Sequence, residues 1–533
     1  MKYRSTRRKH RSAFALLATL TALTSVLAAC TSKRSSVGGE RVFTYAVGQA
    51  PTSLDAPKDL GIGPMIGGLA YDLLEDLGAN GLLTPALATS VTTPNPTTLV
   101  YHLRSGVQFS NGTALTAQDV VWSLQHDFAP TSQILGSMRT FKSASVTGPN
   151  EVTVNLTTYD PGARQALATF AFVYNEAQAT AHPKDFGTPS VVPIGTGPYR
   201  ITVNNASGIT LVKNDKFWGK PPPVSTVKFV YISQDTTAQL AMRSGSIQGS
   251  LVASQDNIPQ WKAVPGAKLF PIPPDLTTYL SMDVTQAPLN DVHVRRAIAY
   301  AIDRTGLAQT ICRGLGAPAQ TVVPAGMLAS VASEDTAQRF FDTLPKYDLD
   351  LTKSKKEVAK SGYPNGLSMS MMYISDYPLY RIIALNLQSN LASIGVKLQL
   401  KPILSSKYYA TVFATHKDIG LQIGGLQTSI ADPNASFGII LGKANAAPNL
   451  LNMANYYPAD VEGAWEQMNN STDKSVRWRA TQTLLTKVAE DVPYAPIMTC
   501  PQLYVVGGGF HLSGASIYSA SLYYTGRWIY ELQ

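Results

Sequence analysis

Cysteine is scarce in this sequence of 533 residues, which contains only three, and its seven histidines are scattered along the chain. No Cys-x2-Cys or His-x3-His spacing occurs, so the sequence predicts no metal site. The nucleophile elbow Gly-x-Ser-x-Gly and the phosphate-binding loop Gly-x4-Gly-Lys-Ser/Thr are also missing. The Gly-x-Gly segments at Gly61 and Gly314 do not extend into a dinucleotide-binding fingerprint. We therefore expect neither a catalytic site nor a bound cofactor.

Long hydrophobic runs are also missing, because no stretch after Cys30 approaches the ~18 apolar residues of a membrane-spanning helix. Before that point, a basic segment precedes an uncharged apolar run over 13–26, which continues into Leu-Ala-Ala-Cys. This pattern is typical of a secretory signal, and its end resembles the bacterial lipobox. We expect removal of residues 1–29 and acylation of Cys30, which would anchor the chain to a membrane. A simple signal peptide with a chance cysteine is the alternative, and Arg7-Arg8 leaves twin-arginine export open beside general secretion.

The formal net charge of +9 is concentrated at the N-terminus. Six basic residues lie in the first eleven positions, and the first acidic residue is Glu40. Without residues 1–41 the formal net charge is only about +1, so the chain has no field that would attract a phosphate backbone. The basic excess therefore indicates targeting, and we expect no nucleic-acid partner.

Cys312 and Cys500 are the two cysteines that remain apart from Cys30. In an oxidising compartment such a pair can form a disulfide. Each of them also follows an apolar stretch, which is typical of a buried free thiol. The sequence leaves both alternatives open.

Strand and helix patterns alternate along the chain. Phe43–Val47 has the alternation of a strand. Thr116, with Asp119 three residues later, is expected to cap a helix. Asp291 is expected to cap another helix, whose buried stripe runs over Val294–Ile302. Strands that alternate with helices predict α/β sheets covered by helices.

Several short motifs follow one another in a characteristic order. Residues 103–120 follow the pattern LR-x-GV-x-F-x-x-G…T-A-x-DV, and residues 294–304 follow VR-x-A-I-x-Y-A-I-D-R. Shorter segments complete the order: Pro-Thr-Ser-Leu-Asp at 51–55, Gly-Thr-Gly-Pro-Tyr at 195–199, Asn214 with Phe-Trp-Gly at 217–219, Ser-Gly-Tyr at 361–363 and Asp-Val-Pro at 491–493. In this order the chain resembles the extracellular solute-binding protein family 5, which contains oligopeptide-, dipeptide- and nickel-binding proteins of ABC importers. The resemblance covers about residues 42–500.

Two of these motifs allow a physical interpretation. Gly195 and Gly197 are expected to adopt backbone angles that a Cβ would forbid, in a turn suited to a crossing between lobes. The charged residues that flank the apolar stripe are expected to form ion pairs at helix ends, as part of the scaffold: Arg295, Arg296, Asp303 and Arg304.

The resemblance implies an α/β fold of the periplasmic-binding-protein type (type II, cluster C), with two lobes and an additional N-terminal subdomain. The ligand would lie between lobes that close around it. The expected divisions are a signal peptide over 1–29, a lipid-anchored tether over 30–41, lobe I over 42–57, 190–275 and 500–533, the extra subdomain over 58–189, and lobe II over 276–499.

Ligand contacts are expected by family position. Family members that bind peptides carry a W-x-x-D…P segment whose aspartate pairs with the ammonium group of the ligand. Here Leu426 replaces the tryptophan and Ser429 the aspartate, and a neutral hydroxyl cannot balance a desolvated cation. Asp432 could replace the missing charge, although a turn role ahead of Pro433 is the alternative. We therefore expect a ligand that depends less on a free amino terminus.

The candidate ligand-binding residues lie in three places: after the first strand, in the first predicted strand of lobe II, and in the segment around Ser429. They are Gln49, Thr278, Tyr279, Met282, Gly425, Leu426, Thr428, Ser429, Asp432, Ser436 and Phe437. For Gln49, Thr278, Tyr279 and Met282, packing in the core is the alternative.

The resemblance implies a lipid-anchored, non-enzymatic protein on the extracytoplasmic face of the bacterial cell membrane. It would capture oligopeptides or dipeptides and deliver them to an ABC permease and ATPase, and we expect it to be a monomer. Two alternatives remain: the same fold with a non-peptide ligand such as a metal chelate, haem or glycan, and an extracellular sensor without a transport role.

Overall fold

The first strand begins at Val42, as the sequence predicts. The computed structural model describes residues 40–59, 61–78, 82–272, 274, 276–427, 430–512 and 526–533, and residues from Val42 onwards form one compact unit. The predicted signal peptide, Cys30, Thr428 and Ser429 lie outside the described residues. Within the described ranges, no helix has both the length and the apolar character to cross a bilayer.

The strands and helices alternate along the chain. The strands are β1 (Val42–Val47), β2 (Glu75–Leu77), β3 (Leu83–Pro85), β4 (Ala88–Asn95), β5 (Thr98–Leu103), β6 (Phe141–Gly148), β7 (Glu151–Leu156), β8 (Tyr199–Asn205), β9 (Gly208–Lys213), β10 (Thr226–Tyr231), β11 (Gly249–Leu251), β12 (Lys268–Ile272), β13 (Leu276–Met282), β14 (Ala317–Pro318), β15 (Leu367–Ile374), β16 (Val396–Ile403), β17 (Leu421–Gln427), β18 (Tyr494–Thr499) and β19 (Gln502–Val506). The α-helices are α1 (Ile62–Gly67), α2 (Ala117–Asp127), α3 (Ala163–Phe170), α4 (Glu176–Ala181), α5 (Asp235–Arg243), α6 (Ile258–Lys262), α7 (Val292–Tyr300), α8 (Arg304–Ile311), α9 (Glu334–Phe341), α10 (Leu351–Lys360), α11 (Pro378–Ala392), α12 (Ser405–Tyr408), α13 (Ala459–Asn470) and α14 (Lys474–Asp491).

Two large sheets organise these elements. A seven-stranded sheet has the order β12-β19-β11-β1-β10-β9-β8, and a six-stranded sheet has the order β14-β18-β13-β17-β15-β16. A four-stranded antiparallel sheet, β4-β5-β7-β6, comes from the N-terminal region. β1 runs parallel to β10 and β11, and α5 supplies the crossover that parallel strands require.

Each large sheet has its own buried core. Phe43 and Phe229 belong to a core on the seven-stranded sheet, whereas Ile298 and Leu387 belong to a core on the six-stranded sheet. Separate cores are the mark of separate folding units. The chain passes between the two sheets after β12 and returns after β18. The predicted two-lobed α/β fold is therefore confirmed, while the residue boundaries of the lobes stay a prediction.

The expected helix after Asp291 is divided into two. Asp291 accepts a hydrogen bond from the backbone N–H of His293 at 2.8 Å and so caps α7, as predicted. α7 ends at Tyr300, and Asp303 caps the next helix, α8, by accepting from the backbone N–H of Gly306 at 2.9 Å. The sequence stripe is thus continuous although the helix is not.

The predicted ion pairs at Arg295 and Arg304 are wrong. Both guanidinium groups are buried and donate to backbone carbonyls: Arg295 Nε to Asp491 O at 2.7 Å, and Arg304 Nε to Pro496 O at 2.7 Å. Burial lowers the pKa of Arg304 to about 10. These two arginines tie α7 and α8 to the C-terminal part of the lobe.

The two glycines of the Gly-Thr-Gly-Pro-Tyr turn are required for a different reason from the one expected. Neither glycine has a positive φ angle. A Cβ on Gly195 would instead lie 2.2 Å from Ala70 O, and a Cβ on Gly197 would lie 2.6 Å from the carbonyl carbon of Ala70. The turn leads into β8 within the seven-stranded sheet, where the Thr196 hydroxyl donates to Asp72 Oδ2 at 2.9 Å. The glycines therefore permit close backbone packing.

A disulfide joins Cys312 to Cys500, with their Cα atoms 5.5 Å apart. Cys312 follows α8, and Cys500 follows β18 in the segment that returns to the seven-stranded sheet. Of the two alternatives that the sequence leaves open, the structure contains the bridge.

Candidate ligand-binding site

One long edge of β17 is only partly covered. β13 pairs with β17 along its whole length, from Leu421 to Gln427. On the other side, among the described strands, β15 pairs with β17 at Leu421 and Gln422 alone. Beyond that point, at Gly424 and Gly425, the strand can accept an extended ligand as an additional strand.

Tyrosine side chains lie beside this edge of β17. A Cβ on Gly425 would lie 3.6 Å from the hydroxyl of Tyr380, and a Cβ on Gly424 would lie 2.9 Å from the ring of Tyr279. Burial raises the pKa of Tyr279, and raises that of Tyr380 to about 12. Both phenols are therefore neutral near pH 7. They offer apolar rings together with hydroxyl groups that can form hydrogen bonds.

The aromatic contacts continue from this edge towards a cavity. The rings of Tyr408 and Tyr409 have centroids 5.4 Å apart, and Tyr409 lies 5.8 Å from Phe413. Tyr409 is 48% exposed. Phe413 forms part of the cavity wall. The edge of β17 and the cavity are thus connected through neighbouring side chains.

The cavity has a volume of about 470 Å³ and two walls from distant parts of the chain. The N-terminal wall consists of Arg139, Thr140, Asp160, Gly162 and Phe170. The C-terminal wall consists of Phe413, Ile430, Asn434, Ala435, Gly438, Ile439, Asn445, Asn449, Leu450, Leu451 and Trp465. Its size is within the range of about 300–1,000 Å³ that is common for small-molecule sites. A mainly apolar lining with a few polar groups is also typical of such sites.

The two walls meet at a close contact. A Cβ on Gly162 would lie 3.6 Å from Ile430 Cγ2 and 3.8 Å from the Cβ of Ala435. Ile430 packs in the apolar cluster of the four-stranded sheet, although it follows β17 of the six-stranded sheet. The contact of Gly162 with Ile430 and Ala435 therefore closes one side of the cavity, where its two walls meet.

Asp160 places a carboxylate in the N-terminal wall. Its Oδ1 accepts from the backbone N–H of Gly162 at 2.9 Å, and its Oδ2 accepts from the Thr140 hydroxyl at 2.7 Å. Burial raises the pKa of Asp160, and these two hydrogen bonds oppose the rise. Arg139, next to Thr140, is exposed in the same wall. Sequence reasoning misses Asp160, because Asp-Pro-Gly after a strand is an ordinary turn signal.

Asp432 has its charge balanced within the protein. Arg477 Nη2 donates to Asp432 Oδ1 at 2.7 Å, and the Ser330 hydroxyl donates to Oδ2 at 2.6 Å. The backbone N–H of Asn434 also donates to Oδ1, at 2.8 Å, which is the turn role that the sequence analysis gives as the alternative. We therefore do not retain Asp432 as the counter-ion of a ligand.

The other candidate residues are dispersed around the cavity instead of lining it. Gln49 is exposed in a bend after β1. Thr278, Tyr279 and Met282 are buried in β13. The side chains of Leu426, Ser436 and Phe437 are buried, whereas Gly425 is exposed on the open edge of β17. A ligand-binding role for these residues stays a prediction.

Within the described residues, no group of three or more histidine, cysteine, aspartate or glutamate side chains could hold a metal ion. The polar side-chain groups of the cavity are three amides, one hydroxyl, one carboxylate, one guanidinium group and the indole N–H of Trp465. This arrangement can bind and orient a small polar molecule through hydrogen bonds and charge.

Comparison with known proteins identifies the relatives of this chain. The profile of the bacterial extracellular solute-binding proteins, family 5 Middle, matches residues 83–448. The glutathione-binding protein GsiB of Escherichia coli (strain K12) is 25% identical over 505 residues, which cover 92% of this chain and 93% of that protein.

Solved structures share the fold at lower sequence identity. The periplasmic binding protein DppA from Helicobacter pylori, in complex with the peptide STSA, matches with a TM-score of 0.70 and 20% identity, over 92% of this chain and 97% of that one. NikZ from Campylobacter jejuni, in complex with Ni(L-His), matches with a TM-score of 0.70 and 17% identity, over 93% of this chain and 100% of that one.

Proposed function

Because the chain belongs to family 5 of the bacterial extracellular solute-binding proteins of ABC importers, we propose that its own ligand is a small peptide. The peptide is captured between the two lobes and delivered unaltered to a permease and its ATPase. Acyl chains on Cys30 hold the protein on the extracytoplasmic face of the cell membrane. It acts as a monomer and carries out no chemical step.

The cavity between the two walls carries this proposal. Its volume of about 470 Å³ suits a molecule of a few amino-acid residues, and its walls come from parts of the chain that can separate. The asparagine amides at 434 and 449 offer groups for a peptide backbone, whereas Asn445 Nδ2 already donates to Gly438 O and Leu441 O. The apolar side chains, such as Leu450 and Trp465, suit side chains of varied size.

The open edge of β17 supports a peptide in particular. Gly424 and Gly425 lack side chains where the strand is uncovered, so that an extended backbone can approach and pair with it. Tyr380, next to Gly425, would then contact the ligand beside this pairing. A peptide provides the alternating donors and acceptors that such an edge requires.

The first experiment identifies what co-purifies with the protein. A soluble form that starts at Thr31 is purified and analysed by native mass spectrometry, before and after mild denaturation. We expect the released molecules to be peptides of a few residues. A nickel chelate or another non-peptide compound in their place would contradict the proposal, and so would chemical conversion of an added ligand.

A substitution tests whether the ligand binds along β17. In Gly425→Val the added side chain fills the space between Leu276 and Tyr380, so peptide affinity should fall while the unfolding temperature changes little. Gly463→Val, in α13 with no heavy atom within 4 Å of its Cβ position, is the matched control and should bind normally. Equal affinity of both variants would exclude β17 as the peptide-binding edge.

The second candidate is a metal chelate, which the same fold binds in NikZ. The neutral Ser429, where peptide binders carry an aspartate, favours keeping this candidate. A chelate brings its own ligands, so it needs no cluster of metal-binding side chains. The mass spectrum separates the two candidates directly.

A further inference from the structure

Asp160 is a carboxylate that faces the cavity without a cation of its own. In the described part of the chain, Asp160 belongs to no ion pair. Arg477 lowers the pKa of Asp160, but by less than burial raises it. A half-buried negative charge is unfavourable unless a positive group or hydrogen bonds stabilise it. The site therefore favours a ligand that brings a positive charge.

The carboxylate of Asp160 is also held in a fixed orientation. Thr140 and the N–H of Gly162 each donate to a different oxygen. A carboxylate can accept about four hydrogen bonds, so both oxygens retain acceptor capacity for a ligand. A fixed acceptor loses little conformational entropy on binding, which favours affinity and selectivity.

The surrounding charges leave Asp160 as the negative group of the cavity. Asp432 and Arg477 lie close enough to influence Asp160, but they compensate each other in a buried pair at 2.7 Å. Arg139 lines the same wall and is exposed. Its guanidinium group suits the carboxylate of a ligand that carries both charges.

We propose that Asp160 binds the positively charged end of the ligand, and that the substrates are small molecules with a free ammonium group, peptides with an unblocked amino terminus among them. This inference rests on the proposed function only in placing the ligand in this cavity. It revises the expectation drawn from Ser429. The charge missing at Ser429 is supplied from the N-terminal wall of the cavity, by a residue about 270 positions earlier in the chain.

The test compares three probes and three proteins. The probes are an equimolar tripeptide library, the same library with acetylated amino termini, and 1,5-diaminopentane as a non-peptide ammonium compound. The proteins, stripped of co-purified ligand, are the wild-type soluble form, Asp160→Asn and Asp350→Asn. Asparagine keeps an acceptor for the N–H of Gly162 but removes the charge. Asp350 is a matched control, since it also caps a backbone N–H, that of Lys353 in α10.

We expect the wild type to prefer the free library over the acetylated one by about 30-fold or more, as for a buried charge pair that loses one partner. Asp160→Asn should bind the free library at least about tenfold more weakly than the wild type does. It should also lose most of the preference for free over acetylated amino termini. Asp350→Asn should behave as the wild type. Circular dichroism and the unfolding temperature show whether each variant is folded.

Each remaining outcome decides between the two proposals. Equal binding of both libraries, or an unchanged preference in Asp160→Asn, would overturn the role of Asp160 and leave the peptide function standing. Binding of 1,5-diaminopentane alone, lost in Asp160→Asn, would support Asp160 and overturn the peptide function. If the wild type binds none of the three probes, both proposals fail.

Discussion

Arg477 and Asp432 form an ion pair with a distance of 2.7 Å, and their side chains are only 5% and 0% exposed. The pair joins α14 to the segment that follows β17, next to the wall of the cavity. Two charges removed from water stabilise a fold weakly as a pair, but the loss of one partner leaves the other uncompensated. We therefore assign the pair a structural role behind the binding site.

Loss of Arg477 should destabilise the protein strongly. Arg477→Met leaves the carboxylate of Asp432 buried without its cation, so we expect a loss of about 3–5 kcal/mol in the free energy of unfolding. The control is Arg313→Met, which removes the partner of Asp256 from a pair that is 49% and 71% exposed. That change should cost less than about 1 kcal/mol. Urea unfolding measures both, and similar losses would contradict the assignment.

Gly195→Ala should destabilise the fold through a backbone clash. The new methyl group would lie 2.2 Å from Ala70 O, and the backbone must shift to accommodate it. We expect a loss of about 1–3 kcal/mol, which is common for overpacking. Gly463→Ala, in α13 with open space around its Cβ position, should instead stabilise by about 0.5–1 kcal/mol. Thermal unfolding distinguishes the opposite signs, and a neutral Gly195→Ala would show that the close approach can relax.

Asp127 should make stability depend on pH. Burial raises its pKa well above the usual value, and the nearby Asp55 raises it further. In the unfolded chain an aspartate has a pKa of about 3.9. Between these two pKa values the folded state binds the extra proton. The stability due to this group is therefore complete below about pH 4 and is lost as pH rises through the folded pKa.

The variant Asp127→Asn removes this titration with little change in shape. The free energy of unfolding of the variant, minus that of the wild type, should be larger at pH 8 than at pH 5. Urea midpoints at both pH values measure this difference. Asp185→Asn, on the exposed side chain that faces His182, serves as the control for a general charge effect. The same difference from wild type at both pH values would show that Asp127 titrates normally.

Removal of the disulfide should lower stability without changing ligand selectivity. The bridge joins residues 188 positions apart, so it restricts the unfolded chain considerably. We expect Cys312→Ser with Cys500→Ser to lose about 2–5 kcal/mol. A reductant should destabilise the wild type similarly and leave the double variant unaffected. If reductant has no effect on the wild type, the bridge does not contribute.

The local features of the fold could be predicted from short patterns. Thr116 and Asp119 form the expected capping box, in which the Thr116 N–H donates to Asp119 Oδ2 at 2.9 Å. Such features depend on residues three or four positions apart, so sequence spacing is sufficient to find them. The strand from Phe43 to Val47 follows from alternation in the same way.

The features that depend on tertiary contact could not be predicted in this way. Asp160 and Ile430 line one cavity although they are far apart in sequence, and nothing in either local pattern indicates that they are near each other. Gly195 has the composition of a special turn, but its clash partner, Ala70, becomes visible only in three dimensions. The family motifs therefore predict the fold well, and the composition of the cavity walls much less well.

The bridge at Cys500 shortens the stretch of returning chain in which a movement between the two lobes could be accommodated. Cys500 is bonded to Cys312 beside the six-stranded sheet, and only Pro501 separates it from β19 of the seven-stranded sheet. Immediately beside this bridge, Arg313 Nε donates to Asp256 Oδ1 at 3.0 Å, from one lobe to the other. The opening that we propose for ligand entry would stretch or break this surface contact. Energy transfer between fluorophores at positions 256 and 313 would therefore measure the distance between these two sites, which we expect to increase as the cavity opens.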